Sequence, residues 1–193
     1  MTEKKTLETI IYGGAFNPPT RAHQAILQAC VDYAEPRQAE VWLLPSASRK
    51  DKTINEPFER RLEMCDALVQ DVMRRTVNID INIMELGKPQ PTETYNTVCE
   101  LNESFADRNF TWVFGEDSVA TMSEWNHGPW LIEQLSMLVI ERPGYHIGNL
   151  GPRAVKLAVD TGDVSSTELR QRLADGADFE HLVSPSVGAL LAR

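Results

Sequence analysis

Short apolar runs alternate along the chain with stretches whose apolar residues recur every three or four positions. Leu7 to Tyr12 is a β-rich run ending at Gly13-Gly14, which predicts a strand entering a tight turn. Beyond it, Ala22, Ala25, Ile26, Ala29, Cys30 and Tyr33 fall on one face of a helix. A strand at Val41 to Leu44 runs into the polar loop PSASRKDKTINE. Pro57 then opens a helix whose buried side is expected to carry Phe58, Leu62, Cys65, Leu68, Val69 and Val72. Val77, Ile79, Ile81 and Ile83 alternate strictly with polar residues, as a half-buried strand should. A helix from about Asn96 to Phe105 is followed by strands at Phe110 to Phe114 and Met137 to Ile140, with two short helices around Trp125 and Trp130 between them. A last strand near Lys156 to Val159 precedes a helix from about Thr167 to Leu173.

This order predicts an α/β fold, a Rossmann-like doubly wound and mostly parallel sheet with helices on both faces. Ligands of such sheets bind beyond the carboxyl ends of the strands, where the strand order reverses. The 193 residues contain no repeat, low-complexity stretch or linker, so a single domain over 1–193 is expected. No apolar run approaches the ~20 residues that span a bilayer, and MTEKKTLET lacks the apolar core of a signal peptide. The expectation is a cytoplasmic protein with no membrane partner. Cys30, Cys65 and Cys99 are odd in number and widely spaced, which argues against a disulfide framework and a cysteine-rich zinc site and predicts buried free thiols.

Charge narrows the picture further. The 19 basic and 28 acidic side chains leave a formal net charge of −9, which repels nucleic acid at long range. An anionic ligand must therefore be held by a local cluster of donors, and two segments offer one. The first, Gly13-Gly14-Ala15-Phe16-Asn17-Pro18-Pro19-Thr20-Arg21-Ala22-His23, lies between a strand and a helix. Glycines let the backbone approach a phosphate, and a helix start offers unpaired N–H groups and a positive dipole end. Thr20 suits the N-cap, which places His23 in the first turn, either as a ligand to the same anion or as a structural histidine. The second segment is Val164-Ser165-Ser166-Thr167-Glu168-Leu169-Arg170. It reads as a helix start capped by Ser165 or Ser166, and Arg170, one turn in, can also reach phosphate oxygens.

Together the two segments resemble the nucleotidyltransferases that carry a (His/Thr)-x-x-His loop after the first strand and a late Ser-Ser-Thr-x-x-Arg turn. Within that group the chain looks most like the nicotinate or nicotinamide mononucleotide adenylyltransferases. Pro91-Thr92-Glu93-Thr94-Tyr95-Asn96-Thr97-Val98, Gly115-Glu116-Asp117-Ser118, the pair Trp125 and Trp130, and Arg142-Pro143-Gly144 match that family's intermediate segments in order. Three positions depart from its pattern. Asn17 stands where many members have aspartate, Ala22 replaces a glycine, and Glu93 sits where bacterial nicotinate enzymes often have tyrosine.

The resemblance implies transfer of AMP from ATP to a pyridine mononucleotide, with Mg²⁺ screening the triphosphate and few protein ligands to the metal. It implies His23 as the donor to the α-phosphate with Thr20 beside it, and Arg170 with Ser165, Ser166 and Thr167 on the outer phosphates. Lys50 is a further catalytic cation, while Lys52 either contacts substrate or belongs to a solvated loop. Gly13, Gly14, Ala15, Phe16, Gly115 and Asp117 are assigned to ATP, and Asn17, Thr94, Trp130 and Arg142 to the second substrate. Trp130 is the expected stacking platform for the pyridinium ring, with Trp125 or simple packing as alternatives. Nicotinate is the expected substrate; nicotinamide mononucleotide, phosphopantetheine and a non-catalytic nucleotide sensor on the same fold are the alternatives. No nucleic-acid partner is expected, and homo-oligomerisation is left open.

Overall fold

The computed structural model describes residues 6–47, 54, 56–73, 76–86, 88, 92–141 and 150–192. Six strands form one sheet: β1 (Leu7–Gly14), β2 (Glu40–Pro45), β3 (Ile79–Ile81), β4 (Arg108–Gly115), β5 (Ser136–Ile140) and β6 (Ala154–Leu157). Their order is β3-β2-β1-β4-β5-β6, and all five pairings are parallel. The order runs one way from β1 to β3 and the other way from β4 to β6, so it reverses between β1 and β4, where a Rossmann-like sheet opens its ligand crevice.

Alternation along each strand divides the core in two. Ile10, Tyr12, Val41, Leu43, Leu138 and Ile140 point to one face, where they meet α1 (Arg21–Ala34), α2 (Phe58–Gln70), α6 (Ser166–Asp175) and α7 (Pro185–Leu191). Ile11, Trp42, Leu44, Met137 and Val139 point to the other, against α3 (Thr94–Ser104), α4 (Glu116–Thr121) and α5 (Gly128–Gln134). Strands buried on both sides read as continuous apolar runs, which is why β2 and β5 stand out in the sequence. The doubly wound fold is therefore as expected.

Three local expectations need correction. The alternation from Val77 to Ile83 yields only the three-residue β3, an edge strand paired with β2 alone. The chain leaves the sheet at Asn82, whose side chain accepts from the Met84 N–H, and Ile83 is left 55% exposed. Phe58, at the first position of α2, is exposed, and the buried face there is taken by Arg61. Trp125 follows a short 3₁₀ turn, Met122–Glu124, and lies outside both neighbouring helices. The sequence patterning also has no counterpart for α7, which is tied to both ends of α2. Ser186 donates to Asp71 from its N–H (2.8 Å) and its hydroxyl (2.7 Å), and Arg60 Nη2 donates to the Leu190 carbonyl at 2.6 Å.

Candidate active site

A cleft of about 1290 Å³ opens at the carboxyl ends of β1 and β4. That exceeds the ~300–1,000 Å³ typical of a single small-molecule pocket and leaves room for two substrates. Its near wall is the turn after β1. Gly14 lies under the Phe16 ring, where a Cβ would approach within 3.2 Å, and Phe16 itself adopts a left-handed φ of 45°. Such a conformation in a bulky residue costs on the order of 1–3 kcal/mol and persists only where its surroundings enforce it. Here the enforcement is burial: the ring is 1% exposed, edge-on to Tyr12 (5.5 Å) and packed on His23 (5.4 Å). Phe16 therefore offers the cleft little beyond its backbone and a floor for His23.

Thr20 caps α1, and both its N–H (3.0 Å) and its hydroxyl (2.9 Å) lie on Nδ1 of His23. A backbone N–H can only donate, so Nδ1 is the acceptor and the neutral ring carries its proton on Nε2. Sequence spacing alone left His23 open between structure and chemistry. The bond from Thr20 fixes the ring at the helix start with a donor on its far edge.

The opposite wall is the start of α6. Ser165 is its cap, accepting from the Glu168 N–H at 3.1 Å, whereas the Ser166 hydroxyl crosses to the Pro18 carbonyl at 2.9 Å. Arg170 donates to the Asn17 carbonyl (2.7 Å) and to Thr167 Oγ1 (3.1 Å), using two of its five N–H donors and fixing the plane of the guanidinium. Two helix N-termini about 150 residues apart in sequence are thus locked to one turn and face one cleft. The side-chain oxygen of Asn17, 4% exposed, has no partner among the described residues.

The far end is built differently. Glu85, 7% exposed, accepts from Thr92 Oγ1 (2.7 Å) and Thr97 Oγ1 (2.6 Å), fixing the segment that enters α3. Glu93 occupies the N-cap position and Thr94 the first helical position of α3; both line the cleft. Asn126 Nδ2 donates to Glu93 Oε2 at 2.5 Å, closing this end. Trp125 lines the cleft beside Asn126, its Nε1 on Thr121 Oγ1 (3.3 Å) and its ring edge-on to Phe114 (6.1 Å). The turn that presents it depends on Gly128, where a Cβ would stand 1.9 Å from the Met122 carbonyl oxygen. Gly115 ends β4 and Asp117 enters α4, both on the lining. Glu116 between them is buried and accepts from Lys156 Nζ at 2.7 Å, a bond that raises the lysine's pKa.

Gly13, Gly14, Ala15, Phe16, Asn17, Thr20, His23, Thr94, Gly115, Asp117, Ser165, Ser166, Thr167 and Arg170 thus converge on one cleft. Trp130 does not: it is 41% exposed, its indole edge-on to Tyr95 at 5.2 Å and outside the lining. Lys50, Lys52, Arg142 and the Arg142-Pro143-Gly144 segment lie outside the described residues. Asn126, Glu85 and Arg61 were missed from sequence. Only Arg61 left a signal there, as a charge four residues before Cys65 on an apolar helical face. Cys30 and Cys65 are fully buried, and burial pushes both thiols up to about 12, so neither is a nucleophile. Cys99 is only half-buried, which corrects the expectation of three buried thiols.

The sheet order and a cleft walled by two helix starts define a Rossmann-like α/β protein whose cleft lies where the strand order reverses. A family model described as cytidylyltransferase-like matches residues 11–172, and the chain belongs to that family. Among its relatives, a protein of Anaeromyxobacter dehalogenans (strain 2CP-C) named probable nicotinate-nucleotide adenylyltransferase is 33% identical over 93% of this chain and 91% of its own. A protein of the same name from Bacteroides thetaiotaomicron is 28% identical over 97% and 92%. The Plasmodium falciparum nicotinic acid mononucleotide adenylyltransferase, solved complexed with NaAD, superposes with a TM-score of 0.82 over 96% of this chain and 95% of its own, at 21% identity.

Proposed function

We propose that the protein transfers the adenylyl group of ATP to nicotinate mononucleotide, giving nicotinate adenine dinucleotide and pyrophosphate. The observation that carries this reading is the convergence of His23, held by Thr20, and Arg170, held by Asn17, at two helix starts facing each other across the cleft. The names of the relatives supply the pyridine substrate.

A phosphate oxygen of the mononucleotide attacks the α-phosphorus, a P–O bond forms, and the bond to the β-phosphate bridge breaks with its electron pair on the departing pyrophosphate. Such a transfer needs alignment and neutralisation of charge rather than a covalent nucleophile. The Nε2–H of His23 donates to a non-bridging α-oxygen as charge builds there, and Arg170 with the Ser165–Thr167 turn holds the departing phosphates. Trp125, which lines the cleft, stacks on the pyridine ring, and Asp117 accepts a ribose hydroxyl. Lys50, Lys52 and Arg142 remain proposed contacts.

Among the described residues no three His, Cys, Asp or Glu side chains are grouped to hold a metal. A Mg²⁺ carried in on phosphate and water oxygens would neutralise the triphosphate. No helix of the described residues is long and apolar enough to cross a membrane. We further propose a single catalytic domain over 1–193 acting in the cytoplasm, without nucleic-acid partners because of its net charge of −9. The Glu93–Asn126 pair favours a second reading, nicotinamide mononucleotide, because a carboxylate accepts from an amide but repels a second carboxylate.

The deciding experiment is pyrophosphate release with ATP and Mg²⁺, offered nicotinate mononucleotide, nicotinamide mononucleotide and phosphopantetheine separately. Release with the first substrate is expected, and none with any of the three overturns the activity. Direct displacement also predicts inversion at an α-phosphorus made chiral in the ATP. Retention, or radiolabel bound to the protein after ATP alone, makes His23 a nucleophile instead.

A further inference from the structure

Arg61 stands in the first turn of α2 and is 2% exposed. Its Nη1 donates to two backbone carbonyls, Ala15 at 3.0 Å and Ser46 at 2.6 Å, while its buried Nε has no partner among the described residues. Buried charges are ordinarily matched by an opposite charge, yet among the described residues no carboxylate pairs with this guanidinium. Burial pulls its pKa below the ordinary arginine value, and an arginine remains protonated all the same.

Both carbonyls belong to residues that line the cleft. Ala15 follows β1 and Ser46 follows β2, and the Ser46 N–H donates to the Gly14 carbonyl at 2.9 Å. One planar fork therefore ties together the turns leaving two adjacent strands. In a trans peptide the N–H after each carbonyl points the opposite way, so drawing the Ala15 and Ser46 oxygens onto Arg61 turns the following N–H groups away from it.

We propose that Arg61 is a positioning residue for a polyphosphate, clamping the Ala15 and Ser46 turns and supplying a buried positive charge behind them that bound phosphates offset. Two separable effects are involved. The fork sets the geometry in which the α-phosphorus is attacked, and the charge raises the affinity of any polyphosphate. Lysine keeps the charge and loses the planar fork, whereas glutamine loses the charge. The inference rests on the proposed use of ATP, but its test needs no pyridine substrate.

The probe is inorganic tripolyphosphate, titrated calorimetrically into wild-type, Arg61→Lys and Arg61→Gln protein, with kcat and the KM of each substrate measured in parallel. Arg61→Gln is expected to weaken tripolyphosphate at least about tenfold, the effect of one unscreened charge. Arg61→Lys should bind it within about threefold of wild type yet lose about tenfold in kcat, and in both variants the KM for the pyridine substrate should stay within about twofold. Wild-type affinity in Arg61→Gln, or equal weakening in both variants, reduces Arg61 to packing and overturns the proposal. If Arg61→Gln does not fold, Arg61→Lys decides: wild-type kcat, or lost tripolyphosphate binding, overturns it. A wild-type protein that fails to bind tripolyphosphate also sinks it. One that binds tripolyphosphate but transfers no AMP sinks the proposed activity instead.

Discussion

The two ends of the cleft solve opposite problems. The end framed by Thr20, His23, Ser165 and Arg170 is made of donors: backbone N–H groups at helix starts, a His23 whose Nδ1 accepts from Thr20, and an Arg170 fixed on the Asn17 carbonyl. The end framed by Glu85, Glu93, Trp125 and Asn126 is acidic and aromatic. In a chain of net charge −9, the proposed function assigns the polyphosphate to the first end, and the second presents a flat face and an acceptor. The contrast teaches that each donor wall is set within one helical turn although the two walls meet across about 150 residues of chain, whereas the second end is built from side-chain pairs 7 to 33 residues apart.

If that division holds, the largest loss comes from the donor end. His23→Ala should keep the fold and lower kcat by roughly 10²–10³, the usual effect of deleting one donor to transition-state charge. Unchanged turnover in a folded variant removes His23 from the chemistry.

At the far end, Trp125→Ala should raise the KM for the pyridine substrate by an amount corresponding to about 1–3 kcal/mol, the scale of one aromatic stacking contact, with the KM for ATP nearly constant. Trp130→Ala should leave both within about twofold, since Trp130 lies outside the lining. The reverse pattern in steady-state kinetics restores Trp130 as the platform. A smaller effect is expected from Glu93→Gln. Removing one like charge near a carboxylate is worth about 1 kcal/mol in a solvated site, or about fivefold in the ratio of kcat/KM for nicotinate over nicotinamide mononucleotide. A ratio that does not move takes Glu93 out of substrate choice.

Asp71 belongs to neither end and sets the scale of a purely structural contact. Burial raises its pKa, but the neighbouring Ser184 hydroxyl together with the hydroxyl and N–H of Ser186 outweigh this and hold it below its ordinary 3.8. A carboxyl whose folded pKa is depressed contributes stability above the unfolded value and loses it as pH falls through the folded one. Asp71→Asn should therefore cost on the order of 0.5–1 kcal/mol at pH 7, comparable to a lost helix cap, and flatten the decline of stability below pH 3.8. Denaturant melts from pH 7 to pH 2 measure both, with kcat expected to be unaffected.

Much of the donor end was legible because its determinants are local. A strand, a glycine turn, a threonine cap and a histidine three residues on specify their own geometry within one helical turn, and Ser165 to Arg170 does the same at the other wall. The six strands were legible for a related reason, since burial on both faces leaves apolar runs that helices do not share. What the sequence determined by itself was therefore the layered α/β fold and the two helix starts able to hold an anion.

Tertiary structure decided the rest. Trp125 and Trp130 are the same residue in sequence, and only the folded chain, with Gly128 packed close on the Met122 carbonyl between them, puts the first on the cleft lining and the second outside it. Glu85 finds Thr92 and Thr97, Glu93 finds Asn126, and Arg61 finds the Ala15 and Ser46 carbonyls across separations of 7 to 46 residues. Hydrogen bonds of that kind depend on angle and distance to tenths of an ångström, which periodicity does not encode and chain folding alone supplies.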